Sequence, residues 1–132
     1  MNNRVVFDCN VFAQALLNQQ GPAGRCLELA QARRVELFVS EFVLDEISEL
    51  HLKLPARAGI TAEDTEDLAK AARSFAKVLD PVPAIYAHPI DPDDSAYVNL
   101  ALAAKAPLIV SRDRHLLGLN DPRDNLVERI PG

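Results

Sequence analysis

The sequence lacks any long apolar run, and this absence excludes a membrane-spanning protein. No stretch approaches the ~18 consecutive apolar residues that a transmembrane helix needs. Asp8 interrupts the apolar run near the amino terminus, so a secretory signal peptide is not expected either. Together these absences predict a cytoplasmic protein that makes no contact with a membrane.

Cysteine is scarce as well, and an excess of positive charge is missing. Cys9 and Cys26 have neither metal-ligand nor redox-motif spacing, so we expect reduced core thiols, with a disulfide between them as the alternative. The 14 basic residues are outnumbered by 19 acidic ones, which gives a net charge of −5. This balance argues against a nucleic-acid binder held by a basic surface, unless bound divalent cations cancel several acids locally.

The residues that are present have the composition of an ordinary globular protein. Hydrophobic residues make up 48% of the chain and charged residues 25%, which argues against disorder. The sequence shows no internal repeat, low-complexity tract or linker. With 132 residues, it predicts a single domain over residues 1–132 that buries one core.

Short apolar runs alternate with helical patterns along the chain, and this alternation predicts an α/β fold. Helices are expected at 11–17, 23–34, 40–54, 61–79 and 91–105, with Ser40 and Thr61 as N-caps. Strands are expected at 4–8, 35–39, 85–87, 108–111 and 126–130. Strands separated by helices imply right-handed βαβ units and a sheet that is covered on both faces.

Four acidic residues can be placed at one edge of this sheet, where open α/β folds bind their ligands. Asp8 ends the first strand, Glu46 projects from the helix after the second, Asp94 falls where a later helix begins, and Asp113 follows strand 108–111. Converging carboxylates repel one another unless a cation neutralises them. Oxygen ligands without histidine or cysteine favour Mg²⁺ or Mn²⁺ over zinc, and two such ions would support phosphodiester hydrolysis.

Each of these acids also has an ordinary structural explanation. Asp8 could belong to a turn, Asp94 and Asp113 could be helix caps, and Glu46 could be a solvated helix acid. Asp45 could be mistaken for Glu46 through an error of one residue. The functional explanation is favoured because all four acids fall at C-terminal strand edges or on the helices that follow.

The four acids lie within longer motifs. These are Asp8-Cys-Asn10, Ser40 followed by Glu46, Asp91-Pro-Asp-Asp94 with Leu100-Ala-Leu-Ala103, and Ile109-Val-Ser-Arg-Asp113-Arg-His-Leu-Leu117. The motifs resemble the PIN-domain nuclease family, and the likeness is strongest for the VapC-like toxin components of bacterial toxin–antitoxin pairs. It extends from Arg4 to about Ile130 and implies a three-layer α/β/α sandwich around a parallel sheet of about five strands.

The resemblance also implies roles for individual residues. His115 stands where many relatives carry an acid, which bears on whether a second metal ion binds. Independently of the resemblance, Arg112, Arg114 and His115 are candidate phosphate contacts because they are basic or can be protonated and lie beside Asp113. The acidic metal-site and catalytic positions are taken by Asp8, Glu46, Asp94 and Asp113, with Asn10 and Ser111 as supporting polar residues.

The leading prediction is an endoribonuclease that depends on Mg²⁺ or Mn²⁺ and acts as a growth-inhibiting toxin. RNA would be its substrate, a cognate antitoxin its partner, and a homodimer or higher homo-oligomer its assembly. One alternative is a catalytically silent PIN-fold binding module, which His115 favours. Another is a magnesium-dependent aspartyl-phosphate phosphatase with Asp8 as nucleophile, which fits less well because Asn10 stands where a second acid is usual.

Overall fold

A parallel β-sheet forms the centre of the fold. The computed structural model describes residues 2–86, 92–111 and 127–129, and for 92–94 and 127–129 the description is of the backbone alone. Within these residues the sheet has five strands in the order β3-β2-β1-β4-β5, and every neighbouring pair is parallel. The strands are β1 (Arg4–Phe7), β2 (Glu36–Val39), β3 (Lys77–Val78), β4 (Leu108–Ser111) and β5 (Val127–Arg129).

Helices fill the connections between strands β1, β2, β3 and β4. Among the described residues, none of them is long and apolar enough to cross a membrane. The helices are α1 (Cys9–Leu17), α2 (Pro22–Gln31), α3 (Glu41–Ser48), α4 (Leu50–Lys53), α5 (Ala62–Phe75) and α6 (Pro92–Ala104).

Polar side chains that accept hydrogen bonds from backbone amides mark where α3 and α5 begin. Ser40 accepts a hydrogen bond at Oγ from the Val43 amide of α3. Thr61 and Asp64 form the predicted capping box of α5, each side chain accepting from the backbone amide of the other. Such caps satisfy amides that have no partner inside the helix. Both predicted N-caps are therefore confirmed.

The strand β1 is covered on both faces, as the predicted α/β fold requires. Its consecutive residues Val5, Val6 and Phe7 are all buried, although side chains alternate between the two faces of a sheet. Helices must therefore pack on each face, which confirms the predicted sandwich around a parallel sheet. The two cysteines, Cys9 and Cys26, are half-buried free thiols, so the disulfide alternative is wrong.

The third strand was predicted over 85–87; for Ile85 and Tyr86 this was wrong, and residue 87 lies outside the described residues. Ile85 and Tyr86 lie outside any strand, because their amides donate to the side chain of Asn99 rather than to a neighbouring strand. The helix predicted over 61–79 ends at Phe75, and the next residues form β3 on the edge of β2. The apolar spacing in this segment fits both structures, and pairing with the exposed edge of β2 decides between them.

Several helix boundaries also differ from the predicted ones. The helix predicted over 40–54 is divided into α3 and α4 at Glu49, and α1 begins at Cys9 instead of residue 11. The helix α2 ends before residue 34 because Arg33 has a left-handed backbone with φ of 59°. Asp94 lies inside the first turn of α6, which begins at Pro92, a residue well suited to that position.

Candidate metal centre

The carboxylate of Asp8 is fixed at the C-terminal edge of the sheet. Asp8 directly follows β1 and caps α1, with Oδ1 accepting from the amides of Asn10 at 2.9 Å and Val11 at 3.3 Å. Its own amide donates to the carbonyl of Val110 in β4 at 3.1 Å. The residue is only 2% exposed. A carboxylate this deeply buried needs such partners, because an unpaired buried charge is costly.

Ser111 holds the other oxygen of the same carboxylate. The register that pairs Phe7 with Val110 brings the next residues, Asp8 and Ser111, side by side at the end of β1 and β4. The fully buried Ser111 donates a hydrogen bond from its hydroxyl to Oδ2 of Asp8. The structure thus brings together two residues that the sequence assigned to one site.

Glu46 enters from α3, the helix that follows the neighbouring strand β2. Its Oε1 accepts a hydrogen bond from the hydroxyl of Tyr97 in α6, and its Oε2 lies 3.8 Å from Nζ of Lys53. Asp45, the residue with which Glu46 could be confused, is exposed on α3. The structure therefore points to Glu46 as the acid of α3 that faces α6.

Cys9 and Tyr97 lie close to both carboxylates. Burial, together with the charges of Glu46 and Asp8, raises the pKa of the Cys9 thiol to about 12, against the opposing effects of Lys53 and Tyr97. Burial likewise raises the pKa of Tyr97 well above its usual value, with contributions from Cys9, Glu46 and Asp8. Cys9 directly follows Asp8, Tyr97 donates to Glu46, and the charges of both acids act on Cys9 and Tyr97, so these four residues form one cluster. We call this cluster, together with Lys53 beside Glu46, the pocket.

The other predicted site residues are only partly described. Asn10 is exposed on α1, and its backbone amide donates to Oδ1 of Asp8. The side chain of Asn10 makes no described contact with the site. Asp94 lies one turn before Tyr97 on α6, and the description of Asp94 is limited to its backbone. The predicted residues that lie outside the described part are Arg112, Asp113, Arg114 and His115.

The described residues supply part of a metal site. No group of three or more histidine, cysteine or acidic residues able to hold a metal ion occurs among them. Asp8 and Glu46 are the predicted ligands whose side chains are described, and both present carboxylate oxygens. Hard oxygen ligands suit Mg²⁺ or Mn²⁺. The donor set therefore fits such an ion, with Asp94 and Asp113 as the predicted further ligands.

Three residues of this pocket were missed by the sequence analysis. Tyr97 stands three residues after Asp94, which is one helical turn, and Lys53 stands seven after Glu46, which is two turns. Cys9 is adjacent to Asp8. These spacings were available signals, but Tyr97, Lys53 and Cys9 are also ordinary helix residues, and only the folded structure shows their contacts.

The chain shares sequence with a known protein family. A family model for the PIN domain matches residues 4–115 of the chain. The chain therefore belongs to the PIN-domain family, whose members are generally nucleases. The predicted resemblance to the PIN-domain family and the predicted α/β fold class are confirmed.

Two individual relatives illustrate how far the similarity extends. The uncharacterized protein MJ1680 of Methanocaldococcus jannaschii is 30% identical over 125 residues, which cover 89% of this chain and 76% of that protein. One chain in the crystal structure of VapBC2 from Rickettsia felis, bound to a DNA fragment from their promoter, matches with a TM-score of 0.64 and 16% identity. That match covers 97% of this chain and 99% of the other, and it shows a shared fold.

Proposed function

We propose that the protein is a divalent-metal-dependent endoribonuclease that acts as the toxin of a toxin–antitoxin pair. The main support is the buried carboxylate of Asp8, which is fixed at the C-terminal edge of the sheet. A buried acid held by two backbone amides and a hydroxyl is ordered before any ligand arrives. Such preorganisation suits a metal ligand, because little has to be reordered when the ion binds.

The residues of the pocket have separable tasks in this proposal. Asp8 and Glu46 provide fixed negative charge, and Asp94 and Asp113 would complete the ligand set. Ser111 keeps Asp8 in place. A bound Mg²⁺ or Mn²⁺ ion would supply Lewis acidity, polarising a phosphoryl oxygen and making a water more acidic. Arg112, Arg114 and His115 are proposed to contact the phosphates of RNA.

The contacts of Asp8 favour an anchored ligand over a nucleophile. Oδ1 accepts from two amides and Oδ2 accepts from Ser111, so both oxygens are engaged in hydrogen bonds. An aspartyl-phosphate phosphatase would need one of these oxygens to attack phosphorus. Hydrogen bonds to the charged form lower the nucleophilicity of a carboxylate, so the phosphatase alternative is disfavoured.

The toxin role rests on the resemblance of the acidic motifs to VapC-like proteins and on the shared fold with a chain of the VapBC2 complex. We accordingly propose a cognate antitoxin as the protein partner and a homodimer or higher homo-oligomer as the assembly. An antitoxin would be expected to cover the pocket that contains Asp8 and Glu46, which would block access of RNA.

Cleavage of a structured RNA with added Mn²⁺ or Mg²⁺ tests the activity directly. We expect the purified protein to cleave RNA, EDTA to stop cleavage, and Asp8→Asn and Asp113→Asn to abolish it. Asp45→Asn is the matched control, because it removes one carboxylate from an exposed position beside Glu46. Equal cleavage by all variants would indicate a contaminating nuclease and contradict the proposed site.

Metal binding by calorimetry separates the remaining outcomes. Absence of both cleavage and Mn²⁺ binding would replace the nuclease proposal with the binding-module alternative. Mn²⁺ binding without cleavage of the tested RNA would support the metal centre and contradict that RNA as the substrate. Copurification of a second protein whose addition stops RNA cleavage tests the proposed antitoxin.

A further inference from the structure

The two oxygens of Glu46 are held by two groups of different kinds. The hydroxyl of Tyr97 donates a hydrogen bond to Oε1, and the ammonium of Lys53 lies 3.8 Å from Oε2. These groups come from different elements, since Tyr97 belongs to α6 and Lys53 ends α4. Glu46 itself belongs to α3, so its carboxylate is the point at which three helices meet.

The two contacts also differ in how firmly they are held. Tyr97 is 3% exposed, so its ring is locked by packing and its hydroxyl has little freedom to leave Oε1. The side chain of Lys53 is 57% exposed, whereas that of Glu46 is 14% exposed. An exposed lysine keeps most of its rotamer freedom, and its ion pair is weak and readily exchanged.

We propose that Tyr97 and Lys53 are positioning residues for Glu46, with Tyr97 fixing Oε1 and Lys53 holding Oε2 until a divalent cation displaces it. The proposal rests on the proposed function, because it assigns Glu46 to the metal centre. Neither residue belongs to the acidic motifs through which the sequence resembles PIN-domain nucleases.

The charges in the pocket explain why a divalent cation would displace the ammonium of Lys53 from Glu46. In the absence of a metal, Lys53 offsets part of the negative charge that Asp8 and Glu46 bring into one partly buried pocket. The charge of Lys53 is also sensed at Cys9, where it opposes the rise in the thiol pKa. A divalent ion beside Glu46 would repel the ammonium, and the long exposed side chain of Lys53 can swing into solvent.

The proposal predicts opposite effects of two substitutions on Mn²⁺ affinity. Tyr97→Phe keeps the ring but removes the hydroxyl that donates to Oε1, so we expect the dissociation constant for Mn²⁺ to rise about 5–10-fold because Glu46 is less well ordered before binding. Lys53→Met keeps most of the side-chain volume but removes a competing charge. We expect the dissociation constant to fall about 3–10-fold. Isothermal titration calorimetry with Mn²⁺ alone measures both.

The chain offers matched controls for these two variants. Lys77 is 63% exposed at its side chain and pairs with Glu36, so Lys77→Met removes a similar ion pair at the other end of the strands. Thr61→Ala removes the N-cap of α5 and lowers stability without touching the pocket. We expect both controls to bind Mn²⁺ within twofold of the wild type.

Any of three calorimetric results would overturn the proposal. An unchanged Mn²⁺ affinity in Tyr97→Phe would remove the positioning role of Tyr97. An equal or weaker affinity in Lys53→Met would show that Lys53 does not compete with the metal. A loss of affinity in Thr61→Ala similar to that in Tyr97→Phe would mean that global stability, and not the position of Glu46, controls binding, which also contradicts the proposal.

A double-mutant cycle in metal-free protein keeps this test separate from the proposed function. We expect the effects of Tyr97→Phe and Glu46→Ala on the free energy of unfolding to be non-additive, because each removes the same contact. Additive effects would overturn the contact between Tyr97 and Glu46. Non-additive effects in a protein that binds no Mn²⁺ would retain that contact but overturn both the metal centre and the exchange of Lys53.

Discussion

Ser111 donates a hydrogen bond from its hydroxyl to Oδ2 of Asp8 and so connects the ends of two neighbouring parallel strands. Both residues are buried, at 0% and 2% exposure. A serine at this position therefore contributes to the order of the carboxylate as well as to packing. When both partners are buried, a hydrogen bond to a charged group stabilises the folded protein more than one between two neutral groups.

Ser111→Ala should destabilise the protein by about 2 kcal/mol, because the buried carboxylate of Asp8 loses a charge-assisted hydrogen bond. It should also weaken Mn²⁺ binding. Ser74→Ala is the control, since Ser74 is exposed and donates to the backbone of its own helix. Urea unfolding with calorimetry measures both effects. Equal stability of the two variants would contradict the importance of the Ser111 contact.

Asp8 combines a structural and a chemical role, and two substitutions should separate them. Asp8→Asn keeps an oxygen that can cap α1, so we expect it to fold while RNA cleavage is lost. Asp8→Ala removes the cap and should cost about 1 kcal/mol more in unfolding free energy. Thermal unfolding beside a cleavage assay distinguishes them. Cleavage by Asp8→Asn at the wild-type rate would contradict the assignment of Asp8.

The raised pKa of Cys9 makes stability depend on pH in the alkaline range. The thiol titrates near its ordinary pKa of 9.0 in the unfolded chain but at about 12 in the folded protein. Below pH 9 both states hold the proton, and between about pH 9 and 12 the unfolded state releases it first. Stability should therefore fall as pH rises through this window, by about 1.4 kcal/mol at pH 10.

Cys9→Ala isolates this contribution because Tyr97 and Cys26 remain in both proteins. We expect the wild type to lose stability more steeply than Cys9→Ala between pH 8 and about 10, as measured by urea unfolding at each pH. Parallel curves would show that Cys9 titrates alike in the folded and unfolded states, contrary to its burial beside Glu46.

Asn99 of α6 holds the segment that contains Ile85 and Tyr86. Its Oδ1 accepts from both amides, at 3.0 and 2.7 Å, and its Nδ2 donates to the carbonyl of Tyr86 at 3.1 Å. Asn99→Ala should lower stability by about 1–3 kcal/mol, since buried polar groups lose their partners. Chymotrypsin should then cleave after Tyr86 more rapidly.

Asn18→Ala is the control for Asn99→Ala, because Asn18 is exposed and its side chain caps a single nearby amide. Its rate of cleavage after Tyr86 should match that of the wild type. Equal rates of chymotrypsin cleavage in Asn99→Ala and the wild type would show that the hydrogen bonds of Asn99 do not restrain Ile85 and Tyr86.

The sequence predicted the elements whose signals are local. The strand β4 was predicted with its observed bounds, and the cap at Ser40 and the capping box at Thr61 were predicted because N-cap residues act on the next turn. The strand β3 was missed since two residues, Lys77 and Val78, carry almost no pattern. Their structure depends on the edge of β2, which lies 39 residues earlier in the register.

The candidate site divides in the same way. Asp8 and Glu46 could be proposed from strand ends and helix spacing, and their roles as metal ligands remain predictions. The contact of Glu46 with Tyr97 could not be predicted, because it depends on how α3 packs against α6. Lys53 belongs to α4, which begins after the break at Glu49 and brings Lys53 to the pocket. No local signal in the sequence indicated this break.

The position of β1 in the sheet has a consequence for hydrogen exchange. In the described sheet β1 has β2 and β3 on one side and β4 and β5 on the other, so its amides become accessible only when most of the molecule opens. The two-residue edge strand β3 can open by local fluctuation at much lower cost. Asp8 directly continues β1, and its carboxylate should therefore stay in place while peripheral elements exchange their protons with solvent.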